Sequence, residues 1–315
     1  MKINGVKGFR DVLPGESEVW TALETAARRV FERYGFGEIR IPMMERTELF
    51  ARAAGETSDI VEKQMYTFVD VDGASVTLRP EGTASVVRAY VENGLHGREP
   101  VSKLYYMGPM FRRERPQKGR YRQFHQIGAE LLGREDALAD AELLVLLEDY
   151  FAEVGLTRHR IEINSLGCSR CRPAYREELR RWAEDRRAIL CDNCNRRIEQ
   201  NPLRVLDCKE DAEKTVDAPV MLDRLCAECR THFDRVRALL ASEGVGVSIK
   251  PRMVRGLDYY CRTAFEIVAE GLGSQNAIGG GGRYDGLVAD LGGPSVAGIG
   301  FAIGVERLAM AMRPA

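Results

Sequence analysis

From Glu16 to Tyr34 apolar residues recur at helical spacing, at Val19, Leu23, Ala26, Val30 and Phe31, and the run stops at Gly35. This predicts a helix. The rhythm then turns to alternation in EIRIP, residues 38–42, which predicts a strand; Pro42 cannot donate to a ladder, so that strand belongs at an edge or an interface. MYTFVD, SVTLRP, SKLYYMGPMFRRE and YRQFHQIGAELLG alternate in the same way, and the last two flank a PQKG turn as an antiparallel hairpin. A second helix is predicted over 136–154, after which RIEINSLG returns to strand character.

From about Gly167 to Gly244 the texture changes to Cys pairs and two helical runs, PAYREELRRWAEDRRAIL and DRLCAECRTHFDRVRALLASEG. Strand-like sequence resumes in VSIKPRMVRGLDYY, TAFEIVA and QNAIGGGGRYDG, and the chain closes on AGIGFAIGVERLAMAM. A mostly antiparallel sheet flanked by helices and broken by one insertion is the α+β pattern. The expected division is 1–166 with 245–315 as the main domain and 167–244 as a helical, Cys-rich insertion domain.

Composition narrows the function classes. The 315 residues are 44% apolar and 30% charged with a net charge of -1, which excludes a surface-wide grip on nucleic acid and moves any phosphate binding to local clusters. The N-terminal segment has no apolar h-region, and no apolar run approaches the ~20 residues a bilayer span needs, so a cytoplasmic chain with no membrane partner is expected. In such a setting the eight cysteines point to metal or free thiols rather than disulfides.

The positive charge that exists is concentrated. Six of the eleven positions from Arg112 to Arg122 are Arg or Lys, gathered around the PQKG turn. This fits either a solvated hairpin tip or an anion site, for which an Arg at the strand end offers a planar fork of donors. On the following strand Phe124, Gln126 and Glu130 share a face by period-two spacing, and an inward Gln and Glu need partners that packing does not supply. LRPEGTAS at 78–85 presents Glu81 and Thr83 either as a helix cap or as site groups. RGLDYYCRTAFE places Arg255, Tyr259 and Tyr260 side by side, as a core edge or the lining of a polar pocket. Gly298, Gly300 and Gly304 miss the dinucleotide fingerprint, and no GxxxxGK[ST] run occurs, so the glycines suit close backbone approach, with Arg307 in the helix that follows. Finally, the insert carries Cys168-x2-Cys171, Cys191-x2-Cys194 and Cys226-x2-Cys229 with Cys208 between the last two pairs; the first two pairs, nineteen residues apart, match a tetrathiolate zinc spacing, and the choice of four ligands stays open.

FRRERPQKGRYRQFHQ resembles motif 2 of class II aminoacyl-tRNA synthetases, GFAIGVERL their motif 3, and the first helix with GFGEIRIPMMERTELF their dimer-forming motif 1. TLRPEGTA and RGLDYYCRTAFE look like the histidine-specific signatures of the histidyl-tRNA synthetase family. The resemblance implies a class II fold and an ATP-dependent aminoacyl-tRNA ligase that activates histidine and passes it to tRNA(His), with Mg2+ and as a homodimer. Carried onto matching positions, it implies that Glu81, Thr83 and Gln126 hold the ammonium group. It further implies that Glu130 and Tyr260 read the imidazole and that Tyr259 shapes the pocket. Arg112 would hold the α-phosphate of ATP and Arg307 the γ-phosphate, Phe124 would stack on adenine with Glu114 and Arg120 nearby, and Arg255 would support the reacting carboxylate. The insert and the basic turn would meet the acceptor end of the tRNA.

The chain ends at Met312–Ala315, just after the motif 3 likeness, where the family continues into an anticodon-binding domain. Absence of that domain, with histidine activation kept and tRNA charging weakened, is the expectation. Two other readings stand beside it: a histidine-sensing regulatory paralogue acting on ATP phosphoribosyltransferase, and a structural RNA-binding module.

Overall fold

The structure is a computed structural model that describes residues 3–55, 58–117, 119–273 and 276–312. Lys118 of the basic turn and residues 313–315 lie outside the described residues. The first half of the chain runs α1 (Ser17–Arg33), β1 (Gly37–Glu38), β2 (Met44–Arg46), α2 (Thr47–Ala54), β3 (Tyr66–Val69), β4 (Ser75–Leu78) and α3 (Thr83–Glu92). Then come the long hairpin strands β5 (Ser102–Phe111) and β6 (Gln123–Leu132), α4 (Ala137–Val154) and β7 (His159–Ser165). After α5 (Arg172–Glu184), α6 (Asp192–Gln200) and α7 (Ala227–Ser242), the chain returns through β8 (Val247–Ile249), β9 (Cys261–Ala269) and β10 (Ala277–Arg283). It closes with α8 (Leu287–Asp290), β11 (Gly298–Gly304) and α9 (Val305–Ala311).

Eight strands form one sheet in the order β1-β5-β6-β11-β10-β9-β7-β8, and β2-β4-β3 form a small antiparallel sheet. The large sheet is antiparallel except at its edges, where β1 joins β5 and β8 joins β7 in parallel. Period-two alternation assigns its two faces. Ile127, Ala129 and Leu131 of β6, Phe265 and Ile267 of β9, and Ile299, Phe301 and Ile303 of β11 pack into one core with α1, α4 and α9. The intervening residues face the opposite way. There the register aligns Glu266, Gly280, Ala302, Gly128 and Tyr106 in one row across β9, β10, β11, β6 and β5. The Tyr106 ring fills the space beside Gly128 and packs with Val86 and Met110, whereas the small residues Gly280 and Ala302 leave a hollow.

Asp136 caps α4 by accepting from the backbone N–H groups of Leu138 and Ala139. Three expectations are corrected. The strand predicted over 38–42 pairs only at Gly37–Glu38, because Pro42 interrupts the ladder, although the edge position is as expected. Val19 is exposed and Trp20 takes its place on the buried stripe of α1. The helix at the end of the expected insertion is not confined to it: Phe233, Val236 and Leu240 of α7 join the main core, while Cys229 in its first turn joins a small separate core with Tyr175, Leu179 and Met221. Among the described residues no helix is long and apolar enough to cross a membrane.

Candidate functional site

A cavity of about 370 Å³ opens over the glycine row, lined by residues from the hairpin, the loop before α3, the segment before β9, and α9. It gathers Glu81, Thr83, Arg112, Glu114, Arg120, Phe124, Gln126, Arg255, Tyr259, Tyr260 and Arg307 from segments far apart in the chain. A larger cavity of about 440 Å³ lies against α2 and α3, but its wall carries none of those residues. We therefore place the chemistry in the smaller one.

One side of this cavity is built for a small amine. The Glu81 carboxylate accepts from the backbone N–H groups of Thr83 at 2.7 Å and Ala84 at 2.9 Å, so it caps α3 and faces the cavity at once. The LRPEGTAS segment thus caps α3 and also lines the cavity. Burial pushes the Glu81 carboxyl above its usual range, against the pull of those N–H groups and of Arg112. Gln126 Oε1 is buried without a hydrogen-bond partner among the described residues, an acceptor open to a donor that enters the cavity. The rings of Tyr259 and Tyr260 stand 4.6 Å apart between centroids and form the adjoining wall.

Glu130 is placed differently from the sequence expectation of direct contact. It is fully buried and lies behind the lining, accepting from Thr83 Oγ1 at 2.7 Å and from the Tyr284 hydroxyl at 2.5 Å. Burial pushes its carboxyl up to about 8, so it is largely protonated at neutral pH. It can sit so deep because its cross-strand neighbour is Gly300, where a Cβ would lie 1.6 Å from a Glu130 carboxylate oxygen.

The other side is built for anions. Arg112 Nε donates to the Pro80 carbonyl at 2.8 Å, which holds its guanidinium 5.1 Å over the Phe124 ring. Arg307 Nε donates to the Ala277 carbonyl at 2.6 Å. Its pKa is lowered by burial and by the like charge of Arg120, against the opposing pull of Glu266 and Glu114. Arg120 pairs with Glu114 at 3.3 Å. Arg255 pairs with Glu266 at 3.1 Å and lies 5.6 Å over the Tyr260 ring, while its Nε is buried without a partner among the described residues. Gly280 makes room for it: a Cβ there would stand 2.8 Å from both terminal nitrogens of Arg255.

Three acidic lining residues escaped the sequence reading. Glu266 shares a strand face with the cavity by simple alternation and was legible in principle. Glu306 follows the motif 3 glycine and accepts from the His125 backbone N–H at 2.9 Å. Asp207 comes from the insertion, and nothing in its sequence context signals that it reaches the cavity.

The proposed zinc set is corrected. Cys168 and Cys171 group with Cys226 and Cys229, whereas Cys191 and Cys194 group with Cys208 and Asp211. The two pairs that matched a tetrathiolate spacing therefore belong to different clusters, because helix packing, not spacing along the chain, decides which pairs meet.

A sequence profile described as "Histidyl-tRNA synthetase" matches residues 8–308. The chain is 60% identical over 310 residues to a protein of Geobacter metallireducens named histidine–tRNA ligase, covering 98% of this chain and 75% of the relative. The crystal structure of apo histidyl-tRNA synthetase from S. aureus is similar at a TM-score of 0.80 and 38% identity, over 99% of this chain and 74% of that one. A structure titled as an ATP phosphoribosyltransferase regulatory subunit/histidyl-tRNA synthetase from Bacillus halodurans shares the fold at a TM-score of 0.75 and 21% identity, over 100% of this chain and 84% of that one.

Proposed function

The chain belongs to the histidyl-tRNA synthetase family, and on that premise we propose how its cavity divides the work of activating histidine with ATP and passing it to tRNA(His). The activity itself is that of an aminoacyl-tRNA ligase, and the histidine-sensing alternative is not favoured. The observation that carries the division is the convergence on one cavity of three arginines, Arg112, Arg255 and Arg307, with a buried and unpartnered Gln126 acceptor.

In this reading the ammonium group of histidine donates to Glu81, Thr83 and Gln126. The imidazole lies against Tyr259 and reaches Tyr260 and Glu130. Because Glu130 is behind Thr83, an imidazole N–H that enters the floor replaces the Thr83 hydroxyl as its donor. Phe124 stacks on adenine, Arg112 holds the α-phosphate and Arg307 the γ-phosphate, with Glu114 and Arg120 beside the nucleotide. The histidine carboxylate oxygen then attacks the α-phosphorus, the bond to the bridging oxygen breaks, and pyrophosphate leaves with that electron pair. Two anions must be brought together in line, so positioning and fixed positive charge do most of the catalysis. Arg255 sits between carboxylate and α-phosphate for that purpose. In the second step the terminal adenosine hydroxyl of the tRNA displaces AMP from the histidyl-adenylate.

Glu114 and Glu266, both on the cavity wall, would hold Mg2+ together with triphosphate oxygens, which suits an ion that is bound through one or two carboxylates plus phosphates. Bound there, it would neutralise charge on the departing pyrophosphate. We also assign a homodimer in the cytoplasm. The motif 1 resemblance and the exposed Met43 and Met44 beside Pro42 support the dimer.

The test is ATP–pyrophosphate exchange with each amino acid in turn. Exchange that depends on histidine alone is expected. No exchange with any amino acid would sink the reading.

A further inference from the structure

The two cysteine clusters take no part in the cavity chemistry, and their geometry is specific. Cys168 Sγ lies 3.7 Å from Cys171 Sγ and 3.8 Å from Cys226 Sγ, and Cys171 Sγ lies 3.9 Å from Cys229 Sγ. A disulfide would need about 2.05 Å. Four thiolates each about 2.3 Å from one tetrahedral ion stand about 3.8 Å apart along the edges. The second cluster repeats the distance, with 3.7 Å between the sulfurs of Cys191 and Cys208, and completes its four with Cys194 and the fully buried side chain of Asp211. Backbone N–H groups already point at the acceptors, from Cys168 to Cys171 Sγ at 3.3 Å, from Cys194 to Cys191 Sγ at 3.5 Å, and from Cys191 to Asp211 at 2.9 Å. Such outer donors orient ligands and offset their negative charge.

We propose that the insertion is held by two zinc ions, one on Cys168, Cys171, Cys226 and Cys229 and the other on Cys191, Cys194, Cys208 and Asp211. Thiolate-rich, closed, four-ligand sets are the chemistry of structural zinc. The small cores around these clusters supply little burial, which is the situation in which a metal provides the folding energy.

The two ions have different tasks. The first closes the neck of the insertion, joining the turn before α5 to the first turn of α7. Arg172, next to Cys171, donates to the Tyr260 carbonyl at 2.5 Å, so this neck also touches the cavity wall. The second ties α6 to the segment around Cys208. From that stretch Asn201 and Arg204 donate to Asp258, and Asp207 lines the cavity. Loss of the second ion therefore loosens a wall of the active site from a distance. The metal assignment stands apart from the division of the cavity between substrates.

The test is elemental analysis of the full chain purified under reducing conditions without chelator. Two zinc ions per chain are expected, falling to one in Cys229→Ser, one in Asp211→Ala and none in the double variant, with both retained in Cys261→Ser. Cobalt substituted for zinc gives a separate signature in the unmutated protein: thiolate charge-transfer absorption for seven sulfur ligands spread over two ions. Zero or one zinc per chain in the wild type, iron in place of zinc, or either single variant keeping both ions or losing both overturns the proposal. An Asp211→Ala chain that loses its ion yet keeps wild-type KM values for histidine and ATP overturns the second ion's role in the cavity wall; a rise of several-fold in either supports it.

Discussion

At the scale of single residues the cavity depends on charges held in place by ordinary contacts. Arg255 is fixed by Glu266, by the face of Tyr260 and by the gap that Gly280 leaves. Replacing it by Ala removes a preorganised cation from the point where charge develops, and a loss of about 10²–10³ in kcat is expected in histidine-dependent pyrophosphate exchange. A loss below tenfold would mean that the guanidinium is not at the reacting carboxylate. Glu130 gives a pH prediction. Its carboxyl titrates at about 8 in the folded chain, against about 4.3 when unfolded and exposed. Between those values the folded chain holds a proton that the unfolded chain has released, so this group stabilises the fold less and less as pH rises through the window. Urea midpoints compared at about pH 5 and about pH 8.5 should fall less in Glu130→Gln than in wild type. Equal changes in the two proteins would contradict the buried, protonated carboxyl. Glu81 and Thr83 were legible as paired alternatives, cap or site; Glu81 caps α3, and both residues line the cavity. The depth of Glu130 was not legible, because it depends on a glycine in a strand that comes far later in the chain.

Between elements, the sheet is tied to its helices by a buried polar junction. Arg283 of β10 lies 3.0 Å from Asp140 of α4, both fully buried, and donates to the Arg134 carbonyl at 2.6 Å. The Arg283 Nε to Asp140 contact is held by charge, its angle falling short of a hydrogen bond. His232 of α7 meets the other oxygen of Asp140 at 2.8 Å. Removing Asp140 takes the carboxylate from His232 and leaves the buried Arg283 only Asp285 as an acidic partner among the described residues. Asp140→Ala is therefore expected to cost about 3–5 kcal/mol in denaturant unfolding, and a cost below about 1 kcal/mol would show that the junction is hydrated or dispensable. Elements whose pattern is local were readable from the sequence: the β5–β6 hairpin, the α4 helix with its Asp136 cap, and the alternation that puts Phe124 and Gln126 on one face. The membership of α7 in the main core was not, since an amphipathic stripe does not state which apolar surface it will cover.

For the whole molecule, the described chain exposes Met43, Met44, Phe68, Val69 and Val71 in and around the small sheet. If the dimer assigned above uses the motif 1 region, Met43→Glu with Met44→Glu should convert dimer to monomer in sedimentation velocity. At equal concentration, a dimer unchanged by the double substitution would place the interface elsewhere. The wall that the insertion gives to the cavity, through Asp207 and the Arg204–Asp258 pair at 3.2 Å, joins two parts that the sequence presents as separate domains.

By itself the sequence determined the kinds and order of elements, the α+β class, and the motifs that place arginines, Gln126 and the tyrosines in a family with a known reaction. These are properties of neighbours along the chain: periodicity, caps, turns and short signatures carry them. Only the tertiary structure decided which distant groups share a space. It paired Cys168 and Cys171 with Cys226 and Cys229 rather than with Cys191 and Cys194, sank Glu130 behind Thr83, and brought Asp207 to the cavity. The physical reason is that spacing measures length along the backbone, whereas the approach of side chains is decided by strand register and helix packing, which bring together residues that no local pattern relates.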